Sequence, residues 1–207
     1  MITTFNTLAE AEAIARTQKA LEENGFYTEV AETGVNALER IKALIPKGVS
    51  IHTGSSQTLE QIGFTDYFKT GAHGWKNLNA NILAETDPAK QLQLRREAIL
   101  SDYYIGSVHA VSETGELVIG SNTGSQLPHI VFTSPNIIFV VGTQKITPTL
   151  SDTIKRLEKY VVPLEDERIM GLRKIHTMLA KTVILHKENQ QMGRTITIIF
   201  VKEKVGF

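Results

Sequence analysis

The run VSIHTGSSQTLEQIG, Val49 to Gly63, carries the sharpest local chemistry in the chain. An apolar strand ends, a turn of small residues follows, and a helix begins. Amide N–H groups at a helix start lack intrahelical partners and carry partial positive charge, so such a turn can hold a phosphate or carboxylate. Gly54 lets the backbone approach a ligand, and the Ser55 and Ser56 hydroxyls add donors. The competing reading is that Ser55 or Ser56 only caps the helix. A second turn of this kind, Gly120-Ser121-Asn122-Thr123-Gly124-Ser125, follows the strand Leu117 to Ile119 and supplies Asn122, Gly124 and Ser125. Two such turns ending parallel strands would face one crevice at the carboxyl edge of a sheet, where open α/β sheets take ligands. An ordinary surface turn is the alternative for the second.

Two ionisable residues stand beside these turns as candidate catalytic groups. Lys145 lies just beyond the β-rich run Asn136 to Val141, where an amine can neutralise an anionic ligand; the alternative is a solvated surface lysine. Glu113, in Ser112-Glu113-Thr114-Gly115, is an acid/base candidate if burial raises its pKa; otherwise it is a turn carboxylate in water. The six histidines, His52, His73, His109, His129, His176 and His186, form no HxH or HExxH pattern, so no metal site is expected. His52 adjoins the first turn and His109 the Glu113 turn, which makes both secondary candidates. Trp75 near His73 reads either as a lid anchored by an aromatic or as core packing. GxSxG, P-loop and GxGxxG patterns are absent. With no cysteine, thiol catalysis, disulfides, Cys-ligated zinc and a Cys-bound iron–sulfur cluster are excluded within this sequence.

The elements that must position these groups follow from periodicity and punctuation. Leu8, Ala11, Ile14, Ala15 and Leu21 predict a helix stopped at Asn24-Gly25, followed by an extended piece from Phe26 to Ala31. A second helix runs from Gly34 to Ile45 and breaks at Pro46-Lys47-Gly48. Val49 to His52 is a buried strand, and Gln57 to Ile62 a short helix. Thr65 to Leu83 reads as a loop with short helical pieces. Asp87 as N-cap and Pro88 at N1 start a helix reaching about Leu100. Tyr103 to Val111 and Glu116 to Ile119 read as strands, and Asn136 to Val141 as the best buried strand. Helices follow over Leu150 to Tyr160 and about Asp166 to Lys181. Thr182 to His186 and Thr195 to Val201 close as an expected C-terminal β-hairpin. Helices alternating with apolar strands predict an α/β fold: a Rossmann-like, mostly parallel sheet with helices on both faces, in a single domain over residues 1–207.

Composition narrows the function classes. Lys+Arg and Asp+Glu are 22 each, so the formal charge is zero and a large nucleic-acid footprint is not expected. The longest apolar stretches, Ile137 to Val141 and Ile198 to Val201, are far short of the roughly 20 residues of a membrane span. The first 24 residues carry charges and no apolar run, unlike a signal peptide. A soluble, cytoplasmic protein is the expectation.

The stretch SDYYIGSVHAVSETGELVIGSNTGSQLPHIVFTSPNIIFVVGTQKITPTLSDTIKRL, Ser101 to Leu157, resembles the lactate utilisation (LUD) domain family. HTGSSQTLEQIG upstream and the closing GRTITIIFVKEKVGF fit the same family, and among its subgroups the chain looks most like lactate utilisation protein C. The resemblance implies a fold similar to the sugar-phosphate isomerase and CoA-transferase superfamily. It implies an accessory role in oxidation of L-lactate to pyruvate, beside partners that carry iron–sulfur clusters, with a small anion as ligand. No cofactor is named by it, and any redox role must run through a partner or a diffusible cofactor. By position, the superfamily's phosphate-holding turns correspond to Gly54, Ser55, Ser56, Asn122, Gly124 and Ser125. One departure counts against isomerase chemistry: Gly106-Ser107-Val108-His109 lacks the Asp that follows a strand-ending Gly in the methylthioribose-phosphate isomerase pattern. An independent enzyme acting on a sugar phosphate or acyl-CoA through Glu113 and Lys145, and a non-catalytic interaction protein, are the alternatives.

Overall fold

A computed structural model describes residues 3–207. Its β-rich runs sort into two sheets. The larger has six parallel strands in the order β1 (Tyr27–Ala31), β10 (Thr195–Val201), β7 (Asn136–Gly142), β4 (Tyr103–Gly106), β2 (Ser50–Thr53) and β3 (Lys76–Asn77). The centre is β10 against β7, registered from Thr195 opposite Asn136 to Val201 opposite Gly142. Both strands are almost continuously apolar because both their faces are covered.

One face of this sheet packs on helices α2 (Gly34–Leu44), α3 (Gln57–Gln61) and α4 (Phe64–Lys69). Ala37, Ile41, Leu59, Phe64 and Phe68 meet Ile51, Ile105, Val140 and Ile199 there. The opposite face meets α1 (Ala11–Glu23) and a second sheet of four strands, ordered β8 (Ile146–Thr147), β5 (Ala110–Ser112), β6 (Leu117–Ser121) and β9 (Lys181–Leu185). Val111, Leu117 and Ile119 of this sheet share a core with Phe139, Val141, Ile198 and Phe200. Its outer face carries Val118 against Leu157, Tyr160 and Val161. The parallel sheet is therefore covered by helices on one face and by a helix together with a second sheet on the other. The remaining helices are α5 (Leu78–Ala84), α6 (Pro88–Glu97), α7 (Leu150–Arg156) and α8 (Val162–Arg173).

Several expected elements appear as read. Gly25 ends α1 at φ 88°, and the Asp87 side chain accepts from the amides of Ala89 and Lys90 to start α6. Three expectations fail, each for a physical reason. First, the expected C-terminal hairpin does not form: β9 pairs antiparallel with β6, whereas β10 inserts between β1 and β7 of the other sheet. A run as apolar as Ile196 to Val201 needs cover on both faces, which a hairpin edge cannot give. Second, the helices expected over Leu150 to Tyr160 and Asp166 to Lys181 are one continuous helical stretch with a wide turn at Leu157–Val161. That turn relieves the clash Pro163 would make with the carbonyl four residues back. The stretch stops at Lys174 in the left-handed region, because the Asp166 carboxylate accepts from the Thr177 amide and folds the chain back. Third, Tyr103 to Val111 is not one strand. β4 and β5 belong to different sheets, and Gly106-Ser107-Val108-His109 makes the crossing. Trp75 is buried and stacks on His73 and Phe64, so it is core rather than a lid.

Candidate functional site

The carboxyl ends of β2, β4, β7 and β10 converge on Lys145. The lysine sits in the single 3-10 turn Thr143–Lys145 that β7 feeds, and its side chain turns inward rather than into solvent. Its Nζ donates to Thr58 Oγ1 at 2.9 Å and Ser107 Oγ at 3.1 Å, with the Val108 carbonyl at 3.4 Å. None of these acceptors is a carboxylate. Thr58 comes from α3 after β2, and Ser107 from the crossing after β4. Each hydroxyl has a carbonyl to donate to, Val205 for Thr58 and Val140 for Ser107, so each is free to accept from the amine. Burial pushes the Lys145 ammonium down to about 7, and the nearby positive charge of Arg156 adds to the shift. Arg156 is itself buried, donating to the backbone carbonyls of His109 and Phe5.

The segment after β10 roofs this amine. Gly206 has φ 66°, and a Cβ placed there would lie 2.9 Å from Lys145 Nζ and overlap Thr58 Oγ1. Only glycine fits so close to the amine. Gln144 Nε2 donates to the Val205 and Gly206 carbonyls at 3.0 and 3.3 Å, and the Gly206 amide donates to Gln61 Oε1 at 2.6 Å.

Elsewhere on the parallel sheet, on the face opposite α2 to α4, three rings stack: His52, His129 and Tyr104. The His129 ring lies 4.7 Å from His52 and 4.9 Å from Tyr104, centroid to centroid. Burial holds His52 at about 4, with the charge of Arg95 adding to it, and His129 at about 3, with His52 adding to it. Both are neutral at neutral pH. Burial also raises the Tyr104 phenol, whose oxygen accepts from the Gly54 amide. His129 Nδ1 meets the Ser101 and Ser134 hydroxyls.

The structure separates the residues that the sequence grouped. Gly54, Ser55 and Ser56 lie on the Lys145 edge, immediately before Thr58. Ser56 Oγ accepts from the Leu59 amide, so its helix-capping role is realised, and Gly54 packs against the Tyr104 hydroxyl. Asn122, Gly124 and Ser125 follow β6, an antiparallel strand of the other sheet, so the expected crevice shared by two parallel-strand ends is not built. Their polar groups are used locally. The Asn122 amide donates to Thr177 Oγ1, the Gly124 amide to Ser121 Oγ, and Ser125 Oγ accepts from Thr123. Glu113 pairs with the exposed Arg16 at 2.7 Å and makes no contact with Lys145, so the two do not form a catalytic pair. His109 Nδ1 accepts from the Gly120 amide, a structural role, and burial holds it at about 3. A separate cleft of about 190 Å³ between α5 and α6, lined by Leu78, Ile82 and Leu94, touches none of these groups. Among the described residues no cluster of three His, Asp or Glu could hold a metal. Sequence reasoning missed Thr58, Tyr104, Ser107 and Gly206. The Gly106-Ser107 pair directly after a strand was the one local signal for them.

Against this geometry, the LUD domain profile matches residues 14–202. The chain belongs to the LUD domain family. A solved structure from Deinococcus radiodurans, described as a DUF162 family protein, superposes with a TM-score of 0.57 at 12% identity. The match covers 94% of this chain and 99% of that one, which establishes that the LUD domain here shares its α/β fold. No curated protein matches the sequence. Among the described residues, no helix of this LUD domain is long and apolar enough to cross a membrane.

Proposed function

We propose that this LUD domain is an accessory component of L-lactate utilisation that holds a small anion at the carboxyl edge of its parallel sheet. One observation carries the binding site: Lys145 is a buried amine whose partners are two hydroxyls and a carbonyl, with no carboxylate to neutralise it. A buried cation without a counter-ion is costly, and an incoming anion removes that cost. Gly54, Ser55 and Ser56 border the same edge. The lactate context rests on family membership together with the likeness to lactate utilisation protein C, and cluster-carrying partners and a cytoplasmic setting belong to that reading.

Thermal shift with lactate, pyruvate, a sugar phosphate and coenzyme A tests the site. A ligand at a hundred times its Kd stabilises by about 2.7 kcal/mol. Stabilisation by the small carboxylates, lost in Lys145→Met, is the expected result. Stabilisation by the sugar phosphate alone overturns it in favour of an independent enzyme. Growth on lactate unaffected by deletion of the gene removes the pathway assignment.

The depressed amine gives the binding a pH signature. An anion raises the Lys145 pKa toward its ordinary value, so binding takes up a proton wherever the free amine is neutral. Affinity is therefore greatest below about 7 and falls as the pH rises above it, by at most about tenfold per unit. Calorimetry in buffers of different ionisation enthalpy reads that uptake directly.

A further inference from the structure

Electrostatics alone leaves one property of Lys145 unused. An ammonium has three N–H donors and a neutral amine two. The two shortest contacts of Nζ, to Thr58 at 2.9 Å and Ser107 at 3.1 Å, satisfy the neutral form completely. The third, to the Val108 carbonyl at 3.4 Å, is the weakest and is needed only by the charged form. The two hydroxyls thus fix the amine in place while leaving its lone pair uncommitted when the proton departs. No carboxylate stands by to hold that proton. The cover over the amine is a glycine, so the nearest obstacle is backbone without a side chain. The Val205–Gly206 strap is tied down by the side chains of Gln144, Gln61 and Thr58 and by Val205, which packs in the core, while Lys202, Glu203 and Lys204 leading into it are exposed.

We infer that Lys145 is a nucleophilic amine that forms a reversible imine with the carbonyl carbon of a small aldehyde or ketone, admitted when the Val205–Gly206 strap lifts. The lone pair of Nζ attacks the carbonyl carbon and the carbonyl π bond opens onto oxygen. The carbinolamine then loses water, which carries off both N–H protons and the carbonyl oxygen, and a C=N bond remains. Thr58 and Ser107 relay the protons. Amine and carbonyl give imine and water, so no oxidant or reductant enters, and hydrolysis reverses the step. The inference rests on the reading of Lys145 as a ligand-facing group and goes further in naming the ligand's reactive group.

Borohydride trapping tests it on the full chain. The protein is incubated with pyruvate, and separately with acetaldehyde, then reduced, digested and mapped by mass. The expected product is one adduct, on Lys145, formed before any other lysine reacts; with pyruvate its added mass is that of the acid less one oxygen atom. Lys145→Arg should lack it. Adducts scattered over exposed lysines, or none on Lys145 in the wild-type chain, overturn the inference, and the wild-type map decides even if the variant does not fold. Lactate, which has no carbonyl, separates the two readings. Stabilisation by lactate and pyruvate without an adduct leaves anion binding standing and the imine refuted. An adduct without lactate stabilisation does the reverse.

Discussion

Two rims of the molecule carry glycine-and-hydroxyl turns that look alike in sequence, and they differ in what lies beneath them. At the carboxyl edge of the parallel sheet, Gly54 to Ser56 adjoin a buried amine and the two hydroxyls it donates to. At the rim of the mixed sheet, Asn122 to Ser125 are closed by their own side chains and by Thr177. The difference comes from topology. Parallel strands end together, and their crossovers bring four loops to one place. The antiparallel β6 delivers its turn to a single neighbour, β9. A glycine-rich bend here therefore joins the converging loops of a sheet edge only where it ends a parallel strand.

Acid should break the two regions apart with the largest effect. Burial holds His52 at about 4, and His109 and His129 at about 3, below the ordinary 6.5. Between those values the unfolded chain binds protons that the folded chain does not, so stability is fully present above 6.5 and falls as the pH drops toward 4. The combined loss is on the order of several kcal/mol. Urea denaturation at pH 7 and pH 4.5 measures it. His129→Gln and His52→Gln should each flatten the slope. A slope left unchanged by both would overturn the prediction.

Glycine replacements sharpen the same comparison at smaller scale. Gly206→Val forces a branched side chain into the left-handed region and onto Thr58 and Lys145, and should cost about 3 kcal/mol. Gly124→Ala shares the positive φ, but its Cβ crowds only the flexible Lys181 side chain, with Leu127 at ordinary contact distance, so about 1 kcal/mol is expected. Denaturant midpoints for the two variants give the ratio directly, and a larger loss at Gly124 would mean that the mixed-sheet rim is the more tightly built.

How much of this was legible beforehand follows the range of the interactions. Local signals held: Asp87-Pro88 started α6, Asn24-Gly25 ended α1, and Asn136 to Val141 gave the central strand. Lys145 was singled out for its place after that strand, and the structure puts it at the centre of the edge. What failed was long-range. Whether a strand pairs with its sequence neighbour or inserts elsewhere depends on tertiary cover, so β10 enters the parallel sheet and the hairpin expected of β9 and β10 does not form. Thr58 and Gly206 are 148 residues apart and meet only through the fold. Glu113 looked like an acid/base group because composition cannot show that Arg16, on α1, lies beside it.

That pair sets the smallest expected effect. Arg16 Nε donates to Glu113 Oε2 at 2.7 Å, but the arginine side chain is 61% exposed, and an ion pair open to water contributes little to stability. Glu113→Gln keeps the size of the side chain and a carbonyl oxygen for Arg16 to donate to. The denaturation midpoint should shift only slightly and should depend less on salt than that of the wild type. Thermal stabilisation by a small carboxylate should be unchanged, because Glu113 shares no partner with Lys145. A variant that folds normally yet loses the ligand response would return Glu113 to the site.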